Sequence, residues 1–206
     1  MKKEMVTHWI RIGFFIGGLL LLATGINLML TVPHYGLSPW DSLFVALQMN
    51  FGFTVGIWMF VLNVFFLAVV WLWKRELVTI STVGIVFIIS AFVDGLYYWL
   101  SPAFQAVPDP LAFLMGALLI GGGIGVYVSA SLGVAPQEGF MLTVSEKTGW
   151  SYRRTEIVAS VAILFISFTL DGPIHFGTLI LTIAVGFIIQ LSLNLSKRLL
   201  TTITTS

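Results

Sequence analysis

The chain has 206 residues, 58% of them hydrophobic and only 9% charged, with a formal net charge of +1. A soluble domain carries about a quarter charged residues, so this composition excludes a water-soluble globule, and its even charge balance leaves no basic surplus for nucleic acid. Cysteine is absent, which removes disulfides, thiolate nucleophiles and cysteine-ligated metals.

The N-terminus, MKKEMVTHWIR, starts positive like a signal peptide. The apolar run that follows, Ile12–Val32, is too long for a signal core and has no A-x-A cleavage site, so it is expected to be a retained first span. The chain then breaks at "PHYGLSPWD", residues 33–41. Residues 39–51 form a short, partly apolar stretch, followed by spans at Phe53–Trp73 and Leu77–Leu100. A fourth span, Leu111–Leu132, leads into a second break, "GVAPQE" at 133–138, and a second short stretch at 136–148. Spans at Thr155–Leu170 and Ile174–Leu195 complete the chain. Helices as short as the two stretches reach about 20 Å, against a hydrocarbon core of roughly 30 Å, and do not comfortably cross.

With six spans, all ten basic residues fall on one side: Lys2, Lys3 and Arg11; Lys74 and Arg75; Lys147, Arg153 and Arg154; Lys197 and Arg198. By the positive-inside rule both termini are cytoplasmic.

A shift of 97 residues superposes the two breaks, so that Gly36, Pro39 and Asp41 meet Gly133, Pro136 and Glu138. Gly52 meets Gly149 and Asn63 meets Ser160; with one residue fewer Thr82 meets Thr178 and Asp94 meets Gln190. The expected fold is therefore an all-α membrane protein of six transmembrane helices in two inverted three-helix repeats, 1–106 and 107–206, each with a short broken or re-entrant helix. Three spans per half force the second half to insert upside down, the arrangement in which interrupted segments mark the substrate site of secondary transporters. Ordinary interfacial turns in a duplicated stable unit are the competing explanation.

Ser38-Pro39-Trp40-Asp41 has the grammar of a helix start: Ser38 at the N-cap, Pro39 at the first helical position, Asp41 placed to answer in a capping box. Ala135 replaces the serine in the second copy. Two roles stay open for Asp41 and Glu138, capping of their own helices or binding of a substrate, cation or proton near mid-membrane. Asn63, Asp94, Ser160 and Gln190 are the polar residues expected to line such a site, with Pro39 and Pro136 setting its backbone. Asp94 also lies near the aromatic belt of Tyr97, Tyr98 and Trp99, where water would solvate it. Gly13 with Gly17, and Gly121 with Gly125, are expected to bring spans one and four together.

No nucleophile elbow, phosphate loop or H-E-x-x-H element is present, so no enzyme, metal or cofactor is expected. The elements "GLSPWDSL", "TGW" and "GVAPQEGFML" over six spans resemble the YczE/YyaS/YitT group of bacterial integral membrane proteins. That resemblance implies a multi-pass protein of the bacterial plasma membrane and supplies no substrate. The expected function is a small secondary transporter or permease for a small polar or anionic substrate or ion. A non-transporting factor supporting another membrane or biosynthetic complex is the alternative. The expected partners are the lipid bilayer, the small-molecule or ion substrate and a second copy in a homodimer, with no nucleic acid.

Overall fold

The computed structural model describes residues 2–75 and 78–205. Among them the regular structure is eight α-helices and one 3-10 turn at Pro33–Tyr35, with no strand. In chain order the helices are α1 (Lys2–Thr31), α2 (Pro39–Phe51), α3 (Val55–Trp73), α4 (Ile80–Gln105), α5 (Asp109–Ser129), α6 (Pro136–Thr148), α7 (Tyr152–Thr169) and α8 (Phe176–Thr205). The two short helices fall where the sequence places them, and each has 13 residues. The longer helices overrun the expected spans because helical hydrogen bonding continues past the apolar core. Thus α4 runs through Pro102 to Gln105, and α8 continues to Thr205 rather than ending at Leu195. The expected start of the third span, Leu77, lies outside the described residues, as do the side chains of Lys2, Lys3 and Arg153.

Five helices, α1, α3, α4, α5 and α8, are long and apolar enough to cross a membrane. The expected sixth span, α7, is not one of the five; its first turns carry Arg154 and Glu156. Large apolar side chains cover the outside: Phe65, Phe165, Ile183 and Phe187 are all more than half exposed. An apolar surface of that extent suits lipid, not water, and the chain is an integral membrane protein.

The core is the crossing of α1 with α5, the most extensive helix pairing in the molecule. A Cβ on Gly18 would stand 2.4 Å from the Tyr127 backbone N and 2.8 Å from the Gly123 carbonyl; one on Gly25 would stand 2.7 Å from Ile120 N and 2.8 Å from the Gly116 carbonyl. Only glycine permits that approach. Since Gly18 meets Gly123 while Gly25 meets Gly116, the two helices run antiparallel. The expected pairs do otherwise: Gly13 and Gly17 have nothing within 4 Å of a built Cβ, and Gly121 and Gly125 pack against Ile188 and Ser192 of α8. A G-x-x-x-G spacing marks a small-residue face but not the face that is used.

Around this crossing several contacts come in matched pairs, although α3 packs on α4 without a comparable α7–α8 contact. Helix α1 packs on α4 as α5 packs on α8; α2 packs on α7 as α6 packs on α3. The details match too. Ser42 Oγ lies 2.7 Å from Ser167 Oγ across α2 and α7, and Gly139 faces Val70 across α6 and α3. Asn50 donates to the Leu170 carbonyl at 2.8 Å, and the Lys147 ammonium lies 4.3 Å from the centre of the Trp73 ring. Gly36, at φ +110, sits against Thr178, and Gly133, at φ +157, sits against Thr79, Ser81 and Thr82. Those glycines take a left-handed or extended-positive backbone that a side chain resists, and they let the first break rest on α8 and the second on the start of α4.

Candidate functional site

Each short helix starts where its break forces the chain to turn. After the 3-10 turn at Pro33–Tyr35 and the positive φ of Gly36, Ser38 caps α2: its hydroxyl accepts the Asp41 N–H at 3.2 Å and donates to Asp41 Oδ2 at 2.6 Å. The capping acid therefore answers through the serine hydroxyl instead of the backbone N–H of a capping box. Helix α6 begins at Pro136 after Ala135, which has no side chain to cap its first turn. Glu138 instead reaches across to α5, where Tyr127 Oη donates to Oε1 at 3.2 Å. Its other oxygen, Oε2, is shut away from water without a hydrogen-bond partner.

The two helix starts open on one cavity of about 110 Å³. Ser38, Trp40 and Asp41 line it from α2 and its cap; Ala135, Gln137 and Glu138 line it from α6 and its cap. The walls are largely apolar, with Leu22 and Ile26 from α1, Ile120 and Ile124 from α5, and Ile85 and Ile89 from α4. Asn63 of α3 adds an amide, whose Nδ2 donates to the Met59 carbonyl at 2.9 Å. The Trp40 indole N–H is buried and has no partner. No lysine, arginine or histidine lines the cavity among the described residues.

Neither acid sits on one of the five membrane-spanning helices. Burial pushes the Asp41 carboxyl up to about 6, against the lowering effect of its Ser38 hydrogen bond. Burial pushes Glu138 up to about 7; its own backbone amide and Tyr127 favour the charged form, and the nearby Glu156 carboxylate disfavours it. Removing a carboxylate from water disfavours its ionised form, and the sparse hydrogen bonding of Glu138 leaves that effect largely unopposed.

Of the residues singled out from sequence, the cavity brings together Ser38, Asp41, Asn63 and Glu138, with Pro39 and Pro136 buried beside them at the first helical positions. Three residues lie elsewhere. Asp94 accepts from Thr54 Oγ1 and, at 2.9 Å, from the Gly56 N–H, so it caps the start of α3. Gln190 is exposed and donates to Asn194 on its own helix at 3.1 Å. Ser160 is buried but does not reach the cavity. The sequence reading passed over Trp40, Gln137 and Tyr127. The first two lie inside the quoted motifs, and Tyr127 is a lone hydroxyl in an otherwise aliphatic, glycine-rich helix.

Comparison with known proteins bears on the whole chain. The model for the "Family of unknown function (DUF6198)" matches residues 9–194. The chain belongs to this family. It is 34% identical over 200 residues to the "Uncharacterized membrane protein YczE" of Bacillus subtilis, covering 97% of this chain and 92% of that one. It is 28% identical over 191 residues to the "Uncharacterized protein YyaS" of the same organism, covering 88% and 91%. An "Uncharacterized protein" of Haemophilus influenzae is 24% identical over 173 residues, covering 83% and 78%. No solved structure matches. The resemblance to the YczE and YyaS proteins thus stands, and a bacterial membrane location fits it.

Proposed function

We propose that this DUF6198 protein is a small secondary transporter of the bacterial plasma membrane, with a polar substrate bound where α2 and α6 begin. One observation carries the reading: two Pro-x-acid helix starts, 97 residues apart in sequence, converge on a single cavity. In this reading the halves are inverted three-span repeats, α7 counts as the sixth span, and both termini are cytoplasmic. The antiparallel α1–α5 crossing and the exchanged contacts of the short helices support it, because a two-fold axis in the membrane plane produces both. Half-depth helices that bring backbone and acids to mid-membrane are how inverted-repeat transporters build their sites, and rocking of one half against the other would open the cavity to each side in turn.

The absence of cysteine makes the test direct. A single cysteine replacing Gln137 should react with a membrane-impermeant thiol reagent from either face of sealed vesicles, while one replacing the outward-facing Leu179 should not. Reaction from one face alone, or from neither, overturns alternating access. Asp41→Asn and Glu138→Gln should abolish the function while leaving the protein inserted. The alternative, a non-transporting factor that supports another complex, draws on the Ser38–Asp41 pair, which is closed within its own helix start. It requires equal loss of folded protein and of function in those variants.

A further inference from the structure

The charge of the cavity points to its ligand. Asp41 and Glu138 are the charged residues among its lining, and among the described residues no basic side chain lines it to offset them. Asp41 Oδ2 is occupied by the Ser38 hydroxyl; Glu138 Oε2 is buried and unpartnered. A buried carboxylate without a counter-charge is strongly disfavoured, so it is either protonated or paired. Among the described residues, the groups near Glu138 supply no pairing cation: Tyr127 from α5 and Glu156 from α7 act on it directly, Asp41 from α2 shares its cavity, and α3 offers Asn63 and Met59 while α4 offers Ile85 and Ile89. The rest of the wall suits an apolar body, and it includes the aromatic side chains of Trp40, Phe44 and Tyr127, a residue class that attracts cations within about 6 Å. An anion would find two carboxyls and no positive side chain.

We propose that the cavity binds a small organic cation, an ammonium group bearing short apolar substituents, against the Glu138 carboxylate, in exchange for the proton that the carboxyl carries when the cavity is empty. The exchange is one for one. The proton leaves the Glu138 carboxyl for water as the cation arrives, and the charge inside the cavity stays constant. A volume of about 110 Å³ limits the ligand to a few non-hydrogen atoms. The raised proton affinity of Glu138 agrees with this, because it leaves that carboxyl mostly protonated in the empty site below about pH 7. The inference gives the transport reading its substrate class and counter-ion, but binding is testable without transport.

The test uses the purified full chain in lipid nanodiscs, titrated with tetramethylammonium or propylammonium chloride in weakly buffered solution at pH about 6.5, with proton release followed by an indicator dye. Sodium chloride and sodium acetate at equal ionic strength are the controls. The expected result is saturable release approaching one proton per chain with the ammonium salts and none with the controls. Affinity should fall by about tenfold per pH unit once the solution is more acidic than the carboxyl's own midpoint, as proton–ligand linkage requires. Glu138→Gln should lose the release and weaken binding at least tenfold. If that variant does not fold, the proton count of the wild-type chain decides alone. Release by sodium alone, binding of acetate, or cation binding without proton release overturns the proposal. Cation binding with proton release, in a protein whose vesicles move no cation, would sink the transport reading and leave the site standing.

Discussion

Gly17 and Gly18 are neighbours on α1 with opposite surroundings, and that contrast tests the fold at its centre. A methyl group on Gly18 would lie 2.4 Å from a backbone nitrogen of α5 and 2.8 Å from a backbone carbonyl, so no side-chain rotation relieves it and the helices must part. Overpacking of this kind costs about 1–3 kcal/mol, offset by roughly 0.5–1 kcal/mol because alanine favours a helix over glycine. The net loss for Gly18→Ala is about 1–2 kcal/mol. At about 2–4 °C per kcal/mol for a chain of this size, thermal unfolding in detergent should begin roughly 2–8 °C lower. Gly17 has nothing within 4 Å of a built Cβ, so Gly17→Ala keeps only the helix gain and should unfold at the wild-type temperature or about 1–4 °C higher. Melting both purified variants beside the wild type, by tryptophan fluorescence or by retention of monodisperse protein, measures the difference. If Gly18→Ala proves as stable as Gly17→Ala, α1 and α5 do not cross at these glycines, and the derivation of the antiparallel pair fails with them.

Removing the Asp94 carboxylate by Asp94→Ala strips the start of α3 of two hydrogen bonds and should lower stability by about 1–2 kcal/mol, yet leave ammonium binding at the cavity unchanged; a selective loss of binding would return Asp94 to the site. Cysteines at Tyr35 and Thr148 should be labelled from opposite faces of sealed vesicles, and labelling from one face would exclude the inverted arrangement. Glu138 also predicts a pH dependence of stability. Its folded carboxyl holds a proton to about pH 7, whereas an exposed one releases it near 4.5, so folding binds protons in that window. Stability should therefore fall as pH rises from about 4.5 to about 7 and level off above it. Glu138→Gln should flatten this slope, and a variant with the same slope as the wild type would assign the titration to another group.

The backbone plan was legible because turn chemistry is local. Gly36, Ser38 and Pro39 dictate where α2 starts, Gly52 ends it, and the same positions 97 residues on do the same for α6, so both short helices were bounded to the residue. The packing was not legible, because it is decided across the molecule. Glycines recur along α1 at 13, 17, 18 and 25, and only the neighbouring helix selects Gly18 and Gly25 for contact. Polar residues behave similarly. Asn63 and Asp94 both lie in apolar runs of the first half, but Asp94 lies opposite the unsatisfied amides of α3 and is consumed there, while Asn63 satisfies itself on its own helix and still borders the cavity. Sequence alone gives the polarity of each and not the direction in which it points.

The two short helices start with the same Pro-x-acid backbone plan but different chemistry, and the differences lie at the cavity. Ala135 stands where the first short helix has Ser38, and Gln137 where it has Trp40; farther along the helices Gly139 stands opposite Ser42 in the 97-residue register. Each difference leaves the second short helix without a hydroxyl or an aromatic ring while the acid stays. Absence of the capping hydroxyl has a direct consequence for Glu138. Where Asp41 is pinned by Ser38, Glu138 has no hydroxyl at its own helix start, and Tyr127 of the opposite element engages just one of its oxygens. A carboxyl fully satisfied by its own helix has little to exchange; one left with a buried free oxygen takes up a proton or a cation readily. Placing a capping hydroxyl there with Ala135→Ser should thus convert Glu138 toward the behaviour of Asp41, lowering its proton affinity and weakening ammonium binding while Glu138 itself is unchanged. An Ala135→Ser protein with unaltered proton release would mean that the free oxygen of Glu138 owes nothing to the missing cap.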